Sequence, residues 1–243
     1  NTSKQIAKPT TISTSPEQTN TSIIIMASAS NLKLSYFKTP GGGRAFPIRL
    51  IFAEAGQLEA LNDYEFQDGE FSKLKAEGAF TFGQVPVLTN EDTKWQLTQT
   101  TAIAWYAAEK FGLDQFDTLE DAYLNKSYTL SILDLQAAIA RVMYNKALDA
   151  DGKKAAYDEI KTQTAPRFLA AFDKILNGER QTFLTGEHIR SSDIFVFAVF
   201  GFLKKIVYGD DGSFLADYPN VAAFLGNVVA RPNIGAYLAS LKQ

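Results

Sequence analysis

The segment 84–106 carries the residues best suited to hold a small molecule. It opens on Gln-Val-Pro-Val-Leu and, after a short polar loop, continues with Gln99, Thr100 and then apolar residues at helical spacing. Proline has no backbone N–H and is confined to the starts, edges and bulges of strands, so Pro86 leaves neighbouring main-chain groups free to pair with a guest. Gln99 and Thr100 add side-chain donors at a helix N-terminus, where the helix dipole favours a carboxylate. This arrangement predicts a site for a small, extended, anionic peptide.

The elements that must position this site alternate between strand and helix in the first half of the chain. The hydrophobic pattern predicts a strand, a helix, a strand and a short helix at 32–37, 45–56, 61–66 and 71–77, before the two strands and the helix of the segment 84–106. Right-handed crossovers fold this order into a small mixed sheet with helices on both faces.

The second half of the chain contains only helical patterns. We predict helices at 123–148, 153–176, 191–208, 218–230 and 233–241. The apolar run 194–203 spans ten residues, which suits a buried core helix and is too short to cross a bilayer. We therefore expect a bundle of helices that bury one another, and no membrane partner.

Charge and composition exclude several classes of protein. The net charge is −3, and basic residues occur only in short runs such as 204–205, so nothing favours a nucleic-acid partner. The chain has no cysteine, which excludes a disulfide framework, a thiol nucleophile and a cysteine-type zinc site. The single histidine, His188, lacks a second histidine for a usual zinc site and favours a surface loop over a catalytic role. We expect no metal, and any sulfur chemistry must use the sulfur of a ligand.

Residues 1–30 differ in composition from the rest of the chain. They are rich in Ser and Thr, contain one acid, Glu17, and show no periodicity. Such a segment cannot bury enough apolar surface to offset the entropy of ordering it, and the Ile run at 23–25 is too short to cross a bilayer. We interpret 1–30 as a disordered extension or translated upstream sequence, with Met26 as a natural start.

Four groups of residues make the chain resemble a known family. They are Lys33-Leu34-Ser35-Tyr36-Phe37, Gly43-Arg44-Ala45 with Ile48-Arg49, the run Phe82 to Leu88, and Gln99-Thr100 with Ala102-Ile103-Ala104 and Tyr106. The chain resembles the cytosolic glutathione transferases, and within them the sigma-like group that includes glutathione-dependent prostaglandin D synthase and the S-crystallins. The resemblance implies an α/β plus all-α protein. A thioredoxin-like, mixed-sheet, glutathione-binding domain at 31–113 would be followed by a helical bundle at 118–243 that forms the electrophile pocket.

The resemblance implies that Tyr36 is the catalytic residue. In the family, the tyrosine of this Tyr-Phe pair faces the glutathione sulfur, and its hydroxyl donates a hydrogen bond to the thiolate. A thiol with a pKa of about 8.5 is mostly protonated at neutral pH, and a hydrogen bond to the charged form lowers that pKa. Ser35 is the rival, because other families of this fold use a serine hydroxyl in this region.

The resemblance also assigns the residues that bind glutathione. Val85 would pair its main-chain N–H and C=O with the cysteinyl unit, while Pro86, expected to be cis, shapes the loop. Gln99 and Thr100 would take the γ-glutamyl end, with Thr100 in place of the family's usual serine and in the same helix-capping role. Thr100 as a helix cap alone is the plainer interpretation.

Four further residues are assigned by the resemblance. Lys75 matches a lysine that meets the glycine carboxylate, and Phe71 stands where a tryptophan is common. Arg44 follows the Tyr-Phe pair, as in the family, but after a longer glycine-rich loop. That loop could alternatively cradle phosphate, although it has no Walker lysine. Asp134 matches an acid that reaches the glutathione of a neighbouring subunit, and both Lys75 and Asp134 could instead be solvated helix residues.

The resemblance finally implies a function and an assembly. We expect a cytoplasmic, homodimeric detoxification enzyme that conjugates glutathione, as co-substrate, to hydrophobic electrophiles. The helical side of its cleft would include Ala138, Arg141, Val142 and Tyr144. The alternatives are a glutathione-dependent isomerase, which uses the same thiolate, and a non-catalytic crystallin-like or ligand-storage relative.

The helix predicted at 191–208 departs from the family pattern at its start. Family members usually place Ser or Thr three residues before the equivalent of Asp193, but this chain has Arg190 there. Ser191 could cap the helix in a shifted register, with Ile189 and Ile194 forming a hydrophobic staple. We expect the helix to begin here in either case.

Overall fold

A four-stranded mixed sheet forms the first half of the protein in the computed structural model, which describes residues 28–39, 41–178 and 181–242. The strands are β1 (Leu32–Tyr36), β2 (Asn62–Glu65), β3 (Val87–Asn90) and β4 (Gln96–Thr98), in the spatial order β2-β1-β3-β4. β1 is parallel to β2 and antiparallel to β3, and β3 is antiparallel to β4. The predicted mixed sheet is confirmed.

Three helices accompany the sheet, namely α1 (Phe46–Glu54), α2 (Glu70–Ala76) and α3 (Thr100–Lys110). α1 is buried along most of its length, and it contacts α3 as well as helices of the second half. The buried guanidinium of Arg49 on α1 pairs with Asp63 on β2 through two bonds of 2.7 and 3.0 Å. A bidentate pair of this kind fixes α1 against the sheet.

The second half is a helical bundle, as predicted. Its helices are α4 (Leu119–Met143), α5 (Ala150–Glu159), α6 (Ala165–Ile175), α7 (Ser191–Val207), α8 (Pro219–Val229) and α9 (Pro232–Ser240). Helix α7, most of whose residues are buried, lies against α4 and also contacts α1, α3 and α8. Among the described residues, no helix is both long and apolar enough to cross a membrane.

Two predicted helices have wrong boundaries, and their earlier starts are explained by capping residues. The helix predicted at 123–148 starts earlier, because the Thr118 side chain accepts a hydrogen bond from the Asp121 N–H, and it ends at Met143. The helix predicted at 153–176 also starts earlier, because the Asp149 carboxylate caps the Gly152 N–H at 2.8 Å. It contains one π-helical turn, Ile160–Thr164, between α5 and α6. Hydrophobic periodicity locates a helix, but it does not identify the capping side chain that sets the first residue of the helix.

A buried polar network fixes the start of α7. The Asp193 carboxylate accepts from the Leu184 N–H at 2.8 Å and from the Arg190 N–H at 2.7 Å. Arg190 is the N-cap residue and gives no side-chain cap, so the shifted cap predicted at Ser191 is wrong. Instead, the Ser191 N–H and hydroxyl both donate to Asp114 in the segment that joins the two halves. The helix therefore begins where predicted, but its first turn is held by two carboxylates.

The predicted extension at 1–30 falls almost wholly outside the described residues, since only 28–30 belong to them. Ala29 is fully buried, and its N–H donates to the Gln57 side chain at 3.1 Å. The folded part of the protein therefore includes Ala29.

Burial of Asp193 makes its contribution to stability depend on pH. Desolvation raises the pKa of the Asp193 carboxyl from 3.8 to about 7, although two backbone N–H groups oppose the shift. Because the folded-state pKa lies above the unfolded value, the contribution of the protonated Asp193 side chain to stability is present below about pH 4. This contribution is lost as the pH rises through 7. The difference in urea-unfolding free energy between the wild type and Asp193→Asn should therefore shift in favour of the variant between pH 5 and pH 8. A shift in favour of the wild type would contradict the raised pKa.

Candidate active site

A cavity of about 370 Å³ lies at the end of the sheet where β1 ends and β3 begins, and Tyr144 lines it from just beyond the end of α4. It brings together eight of the nine residues that the sequence predicted for the site: Tyr36, Arg44, Phe71, Lys75, Val85, Pro86, Gln99 and Thr100. Asp134 lies elsewhere, exposed on α4. Two of the described residues that line the cavity, Arg44 and Lys75, are cationic, and none is acidic, so the cavity favours an anionic guest.

Tyr36 is the last residue of β1, and it presents its hydroxyl to this cavity. The side chain is only 8% exposed, and its hydroxyl accepts a hydrogen bond of 3.0 Å from the Arg44 N–H. A phenol has a single proton, so this bond leaves that proton available to an acceptor in the cavity. Ser35, the rival, precedes Tyr36 in the strand and points to the other face of the sheet, and it does not line the cavity.

The glycine-rich loop after β1 brings the main chain against the Tyr36 ring. Gly43 has φ +70°, and a Cβ added to it would lie 2.8 Å from Cε1 of Tyr36. Only glycine tolerates both this backbone conformation and this approach. The loop therefore positions the Arg44 N–H on the Tyr36 hydroxyl.

Val85 offers main-chain groups to the cavity, immediately before β3. The Val85–Pro86 peptide bond is cis, as predicted, and the strand begins only at Val87. Within the described part of the chain, neither the N–H nor the C=O of Val85 has a hydrogen-bond partner. An unpaired N–H and C=O on one residue can pair with an extended peptide in the manner of an added strand.

The N-terminus of α3 faces the same cavity and has no side-chain cap. Gln99 is the N-cap residue, with φ 70° and ψ 120°, and no side-chain hydrogen bond caps the helix. The prediction that Thr100 caps the helix is therefore wrong, because Thr100 is already the first helical residue. Gln99 stores backbone strain in this sparsely populated conformation, and such strain often marks a ligand site. The uncapped N–H groups of α3 are donors of the kind that bind an anion.

Lys75 and Phe71 close the cavity on the side of α2. The Lys75 ammonium lies 5.9 Å from the centre of the Phe71 ring, and the Lys75 side chain is exposed. The Phe71 ring packs against Phe37 at 5.0 Å and against Phe80 at 5.7 Å. These aromatic contacts hold α2 against the end of β1, so the wall keeps its shape without the indole that a tryptophan would supply.

The helical half contributes less to the cavity than predicted. Of Ala138, Arg141, Val142 and Tyr144, only Tyr144, which directly follows the last residue of α4, lines it. Four lining residues were not predicted: Phe37, Gly83, Gln84 and Thr98. Each is a sequence neighbour of a predicted residue, so adjacency to the Tyr-Phe, Gln-Val-Pro and Gln-Thr motifs was the signal that could have found them.

Comparisons with known proteins agree with this fold. Residues 32–109 match the family profile "Glutathione S-transferase, N-terminal domain", and residues 133–241 match "Glutathione S-transferase, C-terminal domain". Glutathione S-transferase alpha-1 of Rattus norvegicus is 31% identical over 205 residues, which cover 84% of this chain and 86% of the rat protein.

Solved structures share the architecture. The structure of NaGST-2 has a TM-score of 0.73 and 26% identity, covering 86% of this chain and 96% of its own. Rat hPGDS in complex with a quinoline has a TM-score of 0.72 and 24% identity, with the same coverage of 86% and 96%. The chain belongs to the glutathione S-transferase family, and it is a transferase enzyme.

The close contact between Gly43 and Tyr36 gives a matched pair of substitutions. Gly43→Ala should push the Tyr36 ring away and reduce turnover of glutathione with chlorodinitrobenzene by about tenfold or more, the effect of losing one charge-assisted hydrogen bond. Gly42→Ala should leave turnover near the wild-type level, because nothing lies within 4 Å of an added Cβ there. Equal turnover in the two variants would show that the loop does not position Tyr36.

Proposed function

We propose that this enzyme conjugates the thiolate of glutathione to hydrophobic electrophiles in the cavity at the end of β1. The observation that carries the proposal is the convergence of three unused groups on that cavity. They are the main chain of Val85, the uncapped N-terminus of α3 and the hydroxyl proton of Tyr36. A peptide that carries carboxylates and a thiol uses all three.

Glutathione would bind in an extended form along the edge of the sheet. Its cysteinyl N–H and C=O pair with the main chain of Val85, beside Pro86. Its γ-glutamyl carboxylate lies at the N-terminus of α3, near Gln99 and Thr100, where the helix dipole favours it. Its glycine carboxylate meets Lys75, and the Phe71 ring supports that lysine. These contacts direct the sulfur towards Tyr36.

The chemical step depends on a stabilised thiolate. The Tyr36 hydroxyl donates its proton in a hydrogen bond to the glutathione sulfur and lowers the thiol pKa, so the thiol proton passes to solvent. The thiolate attacks an electrophilic carbon, a C–S bond forms, and the leaving group departs with its electron pair as an anion. Arg44 is cationic and lines the cavity, so it favours the thiolate and the departing anion.

The electrophile would occupy the side of the cavity that faces the helical domain, where Tyr144 stands. The same thiolate could instead catalyse an isomerisation. The fold shared with rat hPGDS is compatible with this alternative. A crystallin-like or storage role is disfavoured, because a structural protein needs neither the Tyr36 geometry nor the strained Gln99. Detoxification in the cytoplasm and membership of the sigma-like group are proposals that rest on the sequence resemblance.

The protein would act as a homodimer with two glutathione sites. Several large apolar side chains are exposed among the described residues, and they include Phe82, just before the Gln-Val-Pro motif, and three residues on one side of α4, Leu119, Tyr123 and Leu130. The three on α4 share one helical stripe, and exposed apolar surface of this kind marks a protein interface. We propose a second copy as the partner, because the family resemblance implies a two-fold dimer in which the sheet half of one subunit meets the helical half of the other.

Replacing Tyr36 by Phe tests the thiolate directly. Folding and glutathione affinity should stay nearly intact, while the pKa of the bound thiol should rise by about one to two units, since a hydrogen bond to a charged group contributes about 1.5–3 kcal/mol. Thiolate absorbance of the binary complex as a function of pH measures the shift. An unchanged titration would remove Tyr36 from the mechanism, and Ser35→Ala is the matched control that should leave the titration unchanged.

Asp134 tests the dimer and the role of the partner subunit. Sedimentation at micromolar concentration should give a dimer, and Asp134→Asn should weaken glutathione binding by a few tenths of a kcal/mol or more while sparing the dimer. Glu120→Gln, at an exposed acid on the same helix, is the control that should change neither. A fully active monomer would contradict the dimer. An unchanged glutathione affinity in Asp134→Asn would show that Asp134 is an exposed helix residue without a role in binding.

A further inference from the structure

A second cavity, of about 670 Å³, lies between the two halves of the protein and shares no lining residue with the first. Its wall comes from the end of α1, the connecting segment 112–117, the loop 187–190 before α7, and Arg231 before α9. The volume is within the range typical of small-molecule sites. The glutathione chemistry proposed above uses none of these residues.

Glu54 is a buried acid on the sheet side of this cavity. Its side chain is 5% exposed, and its Oε1 accepts hydrogen bonds from Nε and one Nη of Arg231. Its Oε2 is buried and has no hydrogen-bond partner among the described residues. A buried carboxylate oxygen without a donor is costly, so it points to a donor group that is supplied from elsewhere.

Two arginines face the same cavity from the helical side. The Arg190 guanidinium donates to the Leu113 carbonyl and lies 4.9 Å from the centre of the Phe116 ring. It forms no ion pair within the described part of the chain. Arg231 donates to Glu54 through only two of its three nitrogens. Each guanidinium has five N–H donors, so both retain donors for a carboxylate.

The rim of the cavity adds negative charge to the positive charge of the two arginines. Asp117 and Glu187 are exposed lining residues, and His188 and Gln115 lie beside them. With Glu54 and Arg231 paired, one guanidinium and two carboxylates remain, so the lining does not favour a simple anion. A guest that carries both a carboxylate and an ammonium group matches this mixture.

We propose that the cavity between the two halves is a binding site for a zwitterionic small molecule of the amino-acid class. The carboxylate of the guest binds the guanidinium groups of Arg190 and Arg231, and its ammonium group donates to Glu54 and to the acids of the rim. The guest therefore bridges α1 of the sheet half and the starts of α7 and α9 of the helical half.

Thermal unfolding and saturation-transfer NMR with glutamine as the probe test this site. The first cavity is kept saturated with S-hexylglutathione, so binding of glutamine there cannot contribute. At about ten times its Kd, glutamine should raise the Tm by about 3–6 °C and should show saturation transfer. Acetate and methylammonium, which each carry one of the two charges, should give neither effect at the same concentration.

Two variants locate the binding. The first, called the rim variant, combines Asp117→Asn with Glu187→Gln and changes only exposed rim residues. The second, Arg231→Gln, removes one guanidinium. Each variant should weaken glutamine binding by about tenfold or more. The controls are Glu59→Gln and Arg167→Gln, at exposed residues outside the cavity, and they should bind glutamine as the wild type does. Turnover of chlorodinitrobenzene should stay near the wild-type level in the rim variant, which shows that it is folded.

Three results would overturn the proposal. The first is the absence of both a Tm rise and saturation transfer in the wild type at glutamine concentrations on the order of 50 mM. The second is an equal effect of acetate, which would show a simple anion site. The third is unchanged glutamine affinity in the rim variant, which decides the matter even where Arg231→Gln fails to fold. None of these results bears on glutathione conjugation.

Discussion

The unpaired main chain of Val85 is the feature around which the proposed site is organised. Pro86 gives no N–H to the sheet, and β3 begins one residue later, so Val85 keeps an N–H and a C=O for another chain. Val85 is half-buried and lines the cavity, so a peptide ligand that adds one short strand can pair with both groups. The uncapped start of α3 and Lys75 line the same cavity as Val85, and we propose that they bind the two carboxylate ends of that peptide.

The catalytic geometry depends on the loop after β1 in the same local way. Tyr36 ends the strand, and the Arg44 N–H occupies one acceptor position of its hydroxyl, so the single phenol proton is left for the sulfur. That bond requires Gly43, whose backbone conformation and contact with the Tyr36 ring exclude a side chain. α1 starts directly after this loop and is fixed to β2 through Arg49 and Asp63. The loop is therefore anchored at both ends by buried structure.

The sequence predicted most of the site because its residues are local to three short motifs. Proline chemistry and the helix N-terminus indicated an anionic-peptide site around Pro86, Gln99 and Thr100. The family resemblance, and not periodicity, assigned Tyr36, Arg44, Phe71 and Lys75. Thr100 was assigned a capping role wrongly, because composition cannot show that Gln99 takes φ 70° and leaves the helix uncapped. The second cavity was not predicted at all. Glu54, Arg190 and Arg231 are far apart in the chain, and only the packing of the two halves brings them together.

The central claim is that Val85 pairs its main chain with glutathione, and amide hydrogen exchange measured by NMR tests it most directly. With S-hexylglutathione at saturation, the Val85 N–H should exchange at least about tenfold more slowly than in the free protein, because it gains a hydrogen-bond acceptor. The amide of Leu88, already within β3, serves as the internal reference for any general change in stability. Slower exchange at Val85 relative to Leu88 is the predicted result. An unchanged Val85 exchange rate in the saturated complex would contradict the account.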